Sequence, residues 1–234
     1  MSFTFEQLPL AVQLRDDTTF DNFYGGDNAL LVETLRVQLA GQGERYIYLY
    51  GARGAGASHL LQAACHQADE AGLASVYLPL QELRDYPPEE LFEGLEQLSL
   101  VCLDDIDAVM GDSAWEQALF HLFNRLQEQQ VALVISANAA VRELNTALAD
   151  LASRLSWGAV FQLKPLTDEQ RIAAIQLRAE GRGLELNDEV MQFIYHRCQR
   201  DMEALLDVLD ILDHASLKEQ RRLTVPFVKA TMGW

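Results

Sequence analysis

Apolar residues gather in short runs along this chain, separated by longer stretches with the spacing of amphipathic helices. The runs at 46–50, 75–80, 98–103, 132–136 and 159–163 predict five strands. Their near-continuous hydrophobicity implies burial on both faces, hence a parallel sheet between helices. The segments 58–71 and 115–129 have helical spacing and good helix formers, which completes a repeated βα grammar. After Pro165 no further strand-like run appears, and the remainder reads as helices. Thr167 and Gln170 are spaced as a capping box at a helix start. Asn187 and Asp201 read as later N-caps, the second opening a stripe of Leu205, Leu209 and Leu212. Thr224 is placed to cap a final short helix. The expected fold is therefore α/β, a five-stranded parallel sheet between helices followed by a small all-helical lid.

Length agrees, since 234 residues fill one α/β core with a small attachment. The expected division is an N-terminal segment over 1–17, the α/β domain over 18–164 and the helical domain over 165–234. The 35 acidic and 18 basic residues give a formal charge of −17, a field that repels nucleic-acid phosphates, so direct sequence-specific DNA binding is not expected. The start lacks a basic region followed by an apolar core, and no apolar stretch approaches the roughly 20 residues that span a bilayer. A cytoplasmic location, away from membranes, is expected. Cys65, Cys102 and Cys198 lack metal-ligand spacing and read as reduced thiols, and the five His residues read as ordinary helix positions.

Chemistry enters at Gly51-Ala52-Arg53-Gly54-Ala55-Gly56-Ala57-Ser58, between the first strand and a helix. Glycines there let backbone amides turn inward around phosphate oxygens, and the helix dipole adds positive potential. Ser58 stands where a hydroxyl would touch a nucleotide-bound Mg²⁺. Ala57 replaces the expected Lys, which removes the cation that neutralises the terminal phosphates. Diphosphate binding survives such a loss better than hydrolysis does. Arg53 offers charge from within the loop, and a purely structural glycine turn is the plainer alternative.

A buried run, 100–103, ends in Asp104 and Asp105. Asp104 is placed to hold Mg²⁺ directly or through water, and Asp105 to orient an attacking water; a strand end with a turn is the bland reading. Asn138 ends the next strand, within reach of a terminal phosphate, although Asn is also a common turn former. Arg154 precedes the last strand, where it either completes a neighbour's site or pairs with Asp150. Arg200 sits at a helix start, an unfavourable place for a cation, which hints at a contact with phosphates across the cleft; a solvent-facing charge competes with that account.

Thr19-Phe20-Asp21-Asn22-Phe23, the glycine loop, Asp104-Asp105, Ser153-Arg154-Leu155 with Trp157-Gly158, and Arg200 recur in an order that resembles the bacterial replication initiator DnaA, a member of the AAA+ class. The match covers most of residues 18–215, and with the chain ending at Trp234 no room is expected for the initiator's DNA-binding domain. Residues 60–64 and the closing 223–229 are similar to the shorter Hda group within that family.

The resemblance implies a site in which Phe20, Asn22, Phe23, Gly51, Arg53, Gly54, Ala55, Gly56, Ala57, Ser58, His59, Asp104, Asp105, Asn138 and Arg200 hold nucleotide, with Mg²⁺ on Ser58 and Asp104. It implies ADP, or another nucleotide diphosphate, as the resident nucleotide, since Hda proteins tolerate a non-Lys residue at this place and are associated with ADP. It makes Arg154 an arginine finger supplied in trans, so that the chain activates ATP hydrolysis in DnaA and has no turnover of its own. It also implies a sliding-clamp contact through Gln7, Leu8, Pro9 and Leu10, a Gln side chain with apolar anchors. A homodimer is left open. The rival readings are an autonomous AAA+ ATPase of the helicase-loader kind, dependent on Asp105, a P-loop nucleotide kinase, and a clamp adaptor that binds no nucleotide.

Overall fold

The structure, a computed structural model, describes Leu14 and residues 18–234. Helix α1 (Ala29–Leu39) leads to strand β1 (Tyr46–Tyr50), then α2 (Ala57–Glu70), β2 (Ser75–Pro79) and the short helices α3 (Leu80–Leu83) and α4 (Pro88–Leu91). Strand β3 (Leu100–Asp104), helix α5 (Ser113–Glu128), β4 (Ala132–Ala137), α6 (Ala149–Leu155) and β5 (Ala159–Gln162) complete the α/β part. Helices α7 (Asp168–Gly181), α8 (Asp188–Tyr195), α9 (Met202–Glu219) and α10 (Val225–Met232) form the lid.

The five strands are all parallel, in the order β2-β3-β4-β1-β5. Aromatic and β-branched residues favour these strands, and every residue of β3 is buried. One sheet face packs Tyr48, Leu103 and Ile135 against α5 and α6 through Leu119, Leu122 and Leu155. The other face packs Ile47, Cys102 and Val134 against Leu35 of α1 and Leu60 and Leu61 of α2. The lid has a core of its own, in which Ile175, Met191, Leu205, Leu209, Leu212 and Phe227 meet. Burial on both faces, which the unbroken apolar runs imply, holds for β1, β3 and β4, whereas the edge strand β5 alternates partly buried and exposed residues, with Val160 46% exposed.

Local chemistry sets the element ends. Asp112 accepts from the amides of Ala114 and Trp115 to open α5, two residues earlier than the periodicity alone places it. Leu80 leaves the strand for α3, and Leu98 and Ser99 precede β3, so the strand ends shift by one or two residues from the expected ones. The Thr167–Gln170 capping box is present, and Asn187, Asp201 and Thr224 each cap their helix. Glu116 of α5 is buried, yet its carboxylate accepts from the amides of Gly111, Ala147 and Leu148 at 2.9, 3.0 and 2.7 Å. Three charge-assisted bonds offset its desolvation and fix the loop that launches α6, the helix that carries Arg154.

Candidate functional site

The chain leaves β1 at Gly51, whose amide donates to Ala137 O at 3.1 Å. A Cβ there would stand 2.8 Å from the Leu163 side chain, so the loop can pass only as glycine. At Gly56 the backbone has φ +103°, and a Cβ would meet the Phe23 ring at 2.8 Å. Both conditions demand glycine immediately before α2. The first turn of α2 holds no acidic residue, so its open amides and dipole keep their positive potential. A cleft of about 340 Å³ lies over this loop. Phe23 and Tyr24 bound it on one side, Asp105 and Asn138 on another, and Arg178, Met202, Glu203 and Leu206 close it from the lid. Such a crevice at the carboxyl ends of parallel strands is where this architecture binds ligands.

Asp104 ends β3 with only 1% of its surface exposed. Ser136 Oγ donates to its Oδ1, and the Tyr77 hydroxyl donates to Oδ2 at 2.6 Å. Burial, reinforced by the adjacent Asp104 charge, pushes the Tyr77 phenol far above its ordinary range, so it stays a donor. Asp105 turns into the left-handed region at φ 53°, and its amide donates to Ser136 Oγ at 2.9 Å. Its carboxyl is pushed up to about 6, first by desolvation and then by Asp104 and Asp107, with Arg53 pulling the other way. Asn138 donates its amide and its Nδ2 to Asp107, at 2.9 and 3.1 Å.

His59, one turn into α2, ties the lid to the base. Its Nε2 lies 2.7 Å from Thr19 O, and its Nδ1 lies 3.1 Å from Arg178 Nη2. A guanidinium only donates, so Nδ1 is the acceptor and the hydrogen sits on Nε2, facing the carbonyl. This is the neutral tautomer, held at both nitrogens.

The family model for the bacterial DnaA ATPase domain matches residues 14–162, well over half the chain, and that for the Hda lid domain matches 168–232. The chain belongs to the bacterial DnaA ATPase-domain family. Solved structures agree on the fold. Domain III of Thermotoga maritima DnaA superposes with a TM-score of 0.77 at 23% identity, over 94% of this chain and 98% of that one. AMPPCP-bound DnaA from Aquifex aeolicus gives 0.72 at 24%, over 88% and 68%. The Thermotoga maritima RuvB branch migration motor gives 0.62 at 18%, over 90% and 67%.

Within this DnaA-family fold most of the expected residues meet at one place. Asn22, Phe23, Gly51, Arg53, Gly54, Ala55, Gly56, Ala57, Ser58, His59, Asp105 and Asn138 all line the cleft. Phe20 does not; it is buried in the sheet-side core, with the Arg36 guanidinium 5.1 Å from its ring centroid. Arg200 is also displaced from the expectation: it is 59% exposed, 3.6 Å from Asp168 and stacked over Tyr195. The helix that begins just after it turns Met202, Glu203 and Leu206 to the cleft instead, while the lid's cation there is Arg178. Arg178 interrupts the apolar stripe of Ala174, Ile175 and Ala179 on α7 and is itself buried, a signal that the sequence carries. Asp104, expected to hold Mg²⁺, does not line the cleft: it is buried, and its two oxygens accept from Ser136 and Tyr77. Arg154 lies on the last turn of α6, half-buried, with its guanidinium 4.4 Å from the Trp157 ring centroid. Gln7, Leu8, Pro9 and Leu10 lie outside the described residues.

Among those residues, no cluster of three or more His, Cys, Asp or Glu is disposed to hold a metal ion. Cys65, Cys102 and Cys198 are free thiols, and no helix among the described residues is long and apolar enough to cross a membrane.

Proposed function

We propose that this DnaA-family chain is a replication regulator of the Hda kind, which holds ADP in its cleft and supplies Arg154 to the ATP bound by the initiator DnaA. The observation that carries the reading is the placement of Arg154. Its guanidinium rests on the face of Trp157, a ring that is 44% exposed, and it takes no part in the chain's own cleft. A stacked guanidinium keeps its donors directed outward in a fixed fork, ready for phosphate oxygens. An arginine supplied in trans contributes roughly 10³ to 10⁵ in rate to phosphoryl transfer. In the chain's own loop, Ala57 brings no cation to the terminal phosphates, which fits retention of a diphosphate better than turnover.

In this reading a DNA-loaded sliding clamp, engaged through Gln7-Leu8-Pro9-Leu10, brings the regulator to the initiator. The test is DnaA ATPase assayed with loaded clamp and this chain. Arg154→Ala should reduce the stimulation to background while ADP binding, clamp binding and melting temperature stay unchanged. Arg154→Lys should recover little, because a point charge does not reproduce the fork. Full stimulation by Arg154→Ala sinks the proposal.

The autonomous ATPase reading has one observation in its favour: Asp105 lines the cleft with its carboxyl pushed up to about 6, within the range of a general base. It requires turnover by the isolated chain that Asp105→Asn abolishes.

A further inference from the structure

Tyr77 is used by neither the motifs nor the nucleotide reading. It lies on β2 opposite Cys102 of β3, on the same sheet face as the Pro79–Asp104 pair two positions on. From there its hydroxyl reaches Asp104 Oδ2 at 2.6 Å and also interacts with the side chains of Ser58 and Gln62. The phenol thus stands between the loop hydroxyl and the strand-end carboxylate, the two groups that hold the metal in a phosphate-loop site of the usual kind.

Magnesium demands near-octahedral oxygen ligands at about 2.0–2.1 Å and usually keeps several waters, which the protein contacts in turn. Asp104 can serve neither role. One oxygen accepts from Ser136 and the other from Tyr77, and the carboxylate, 1% exposed, is not part of the cleft lining, so its remaining lone pairs face protein and not a metal-bound water. The Ser136 hydroxyl is itself locked, since it accepts from the Asp105 amide while it donates to Asp104. The arrangement is a closed hydrogen-bond chain that satisfies a buried carboxylate without a cation.

We infer that the cleft takes a nucleoside diphosphate without a divalent cation, the Tyr77 hydroxyl holding Asp104 where a metal's hydration shell would stand and engaging the Ser58 hydroxyl on its other side. This rests on the nucleotide reading above and deepens it. Compensation of the phosphate charge then falls to the loop amides, the α2 dipole and the Arg178 guanidinium, all of which border the cleft. A site built this way also lacks the metal that would draw charge from a transferring phosphoryl group, in keeping with the missing lysine.

The experiment is isothermal titration calorimetry of the full chain with ADP, once in millimolar MgCl₂ and once in EDTA. The two dissociation constants are expected to agree within about twofold, and a weakening of about tenfold or more in EDTA overturns the inference. Ser58→Ala should change the ADP dissociation constant by the same factor in both buffers; a loss confined to the magnesium buffer makes Ser58 a metal ligand and overturns it. Tyr77→Phe frees one Asp104 oxygen, so ADP should now bind about tenfold tighter with magnesium than with EDTA. Magnesium independence in a folded Tyr77→Phe protein removes Tyr77 from the account. Should that variant not fold, the wild-type pair and Ser58→Ala still decide. Failure of the wild type to bind ADP in either buffer refutes the nucleotide reading itself.

Discussion

At residue 105 two unfavourable conditions coincide: a side chain in the left-handed backbone region, and a carboxyl drawn partly out of water beside two other carboxylates. A carboxyl whose folded value is raised from 3.8 to about 6 destabilises the fold as pH climbs through that window, and the whole cost is present at neutral pH. Asn tolerates the left-handed region and carries no charge. Asp105→Asn is therefore expected to raise stability at neutral pH in denaturant titrations. A two-unit shift is worth about 3 kcal/mol, and solvent screening of this half-exposed group leaves about 1. The gain should vanish once the pH falls below 3.8, where Asp105 is protonated in both states. A pH-independent effect would show that the backbone, not the charge, is responsible. The acidic pair was legible in the sequence because a buried run that ends in two carboxylates is uncommon. Tyr77 was not, since a Tyr in a strand reads as core, and only strand pairing brings it beside Asp104.

Elements were legible to the degree that their signals are local. The apolar runs mark the strands most clearly at β1, β3 and β4, where both-face burial leaves no polar alternation to blur them. Caps were equally readable, since Thr167, Asn187, Asp201 and Thr224 act on amides two or three residues away. Less visible were α3 and α4, four residues each, which form because the chain must cross from β2 to β3 over Leu80, Leu83 and Leu91. The identity of the lid's cleft-facing cation was hidden for a similar reason. Arg200 has the suggestive position in sequence, yet the chain enters α9 at an angle that gives the cleft Met202 and Glu203. A prediction belongs to α7. Thr167 Oγ1 accepts from Gln170 N at 3.3 Å, and Gln170 Oε1 accepts from Thr167 N at 2.9 Å. Thr167→Ala should cost about 1 kcal/mol of lid stability. Hydrogen exchange would place the loosening in the first turn of α7, and uniform exchange along the helix would discount the cap.

Across the whole molecule, the α/β part and the lid must act as one body if the lid is to register what the base holds. The α/β cores and the lid core share no buried residue, so coupling depends on the few contacts between them. His59 and Arg178 make the most direct of these at the cleft: a helix that starts at the phosphate loop is joined to a helix of the lid, and Thr19 holds the other side of the same ring. On the proposed reading, a phosphate that draws on Arg178 would pull at His59 and so link occupancy of the loop to lid position. The double-mutant cycle of His59→Ala and Arg178→Ala measures that link. Each single change should lower stability, and together they should fall short of additivity by about 2 kcal/mol, the worth of one hydrogen bond to a charged group. The cycle repeated with ADP should give a different coupling, because the ligand competes with His59 for the same guanidinium. Strict additivity in both states would mean that the lid and the base respond independently, and lid position would then carry no information about the nucleotide.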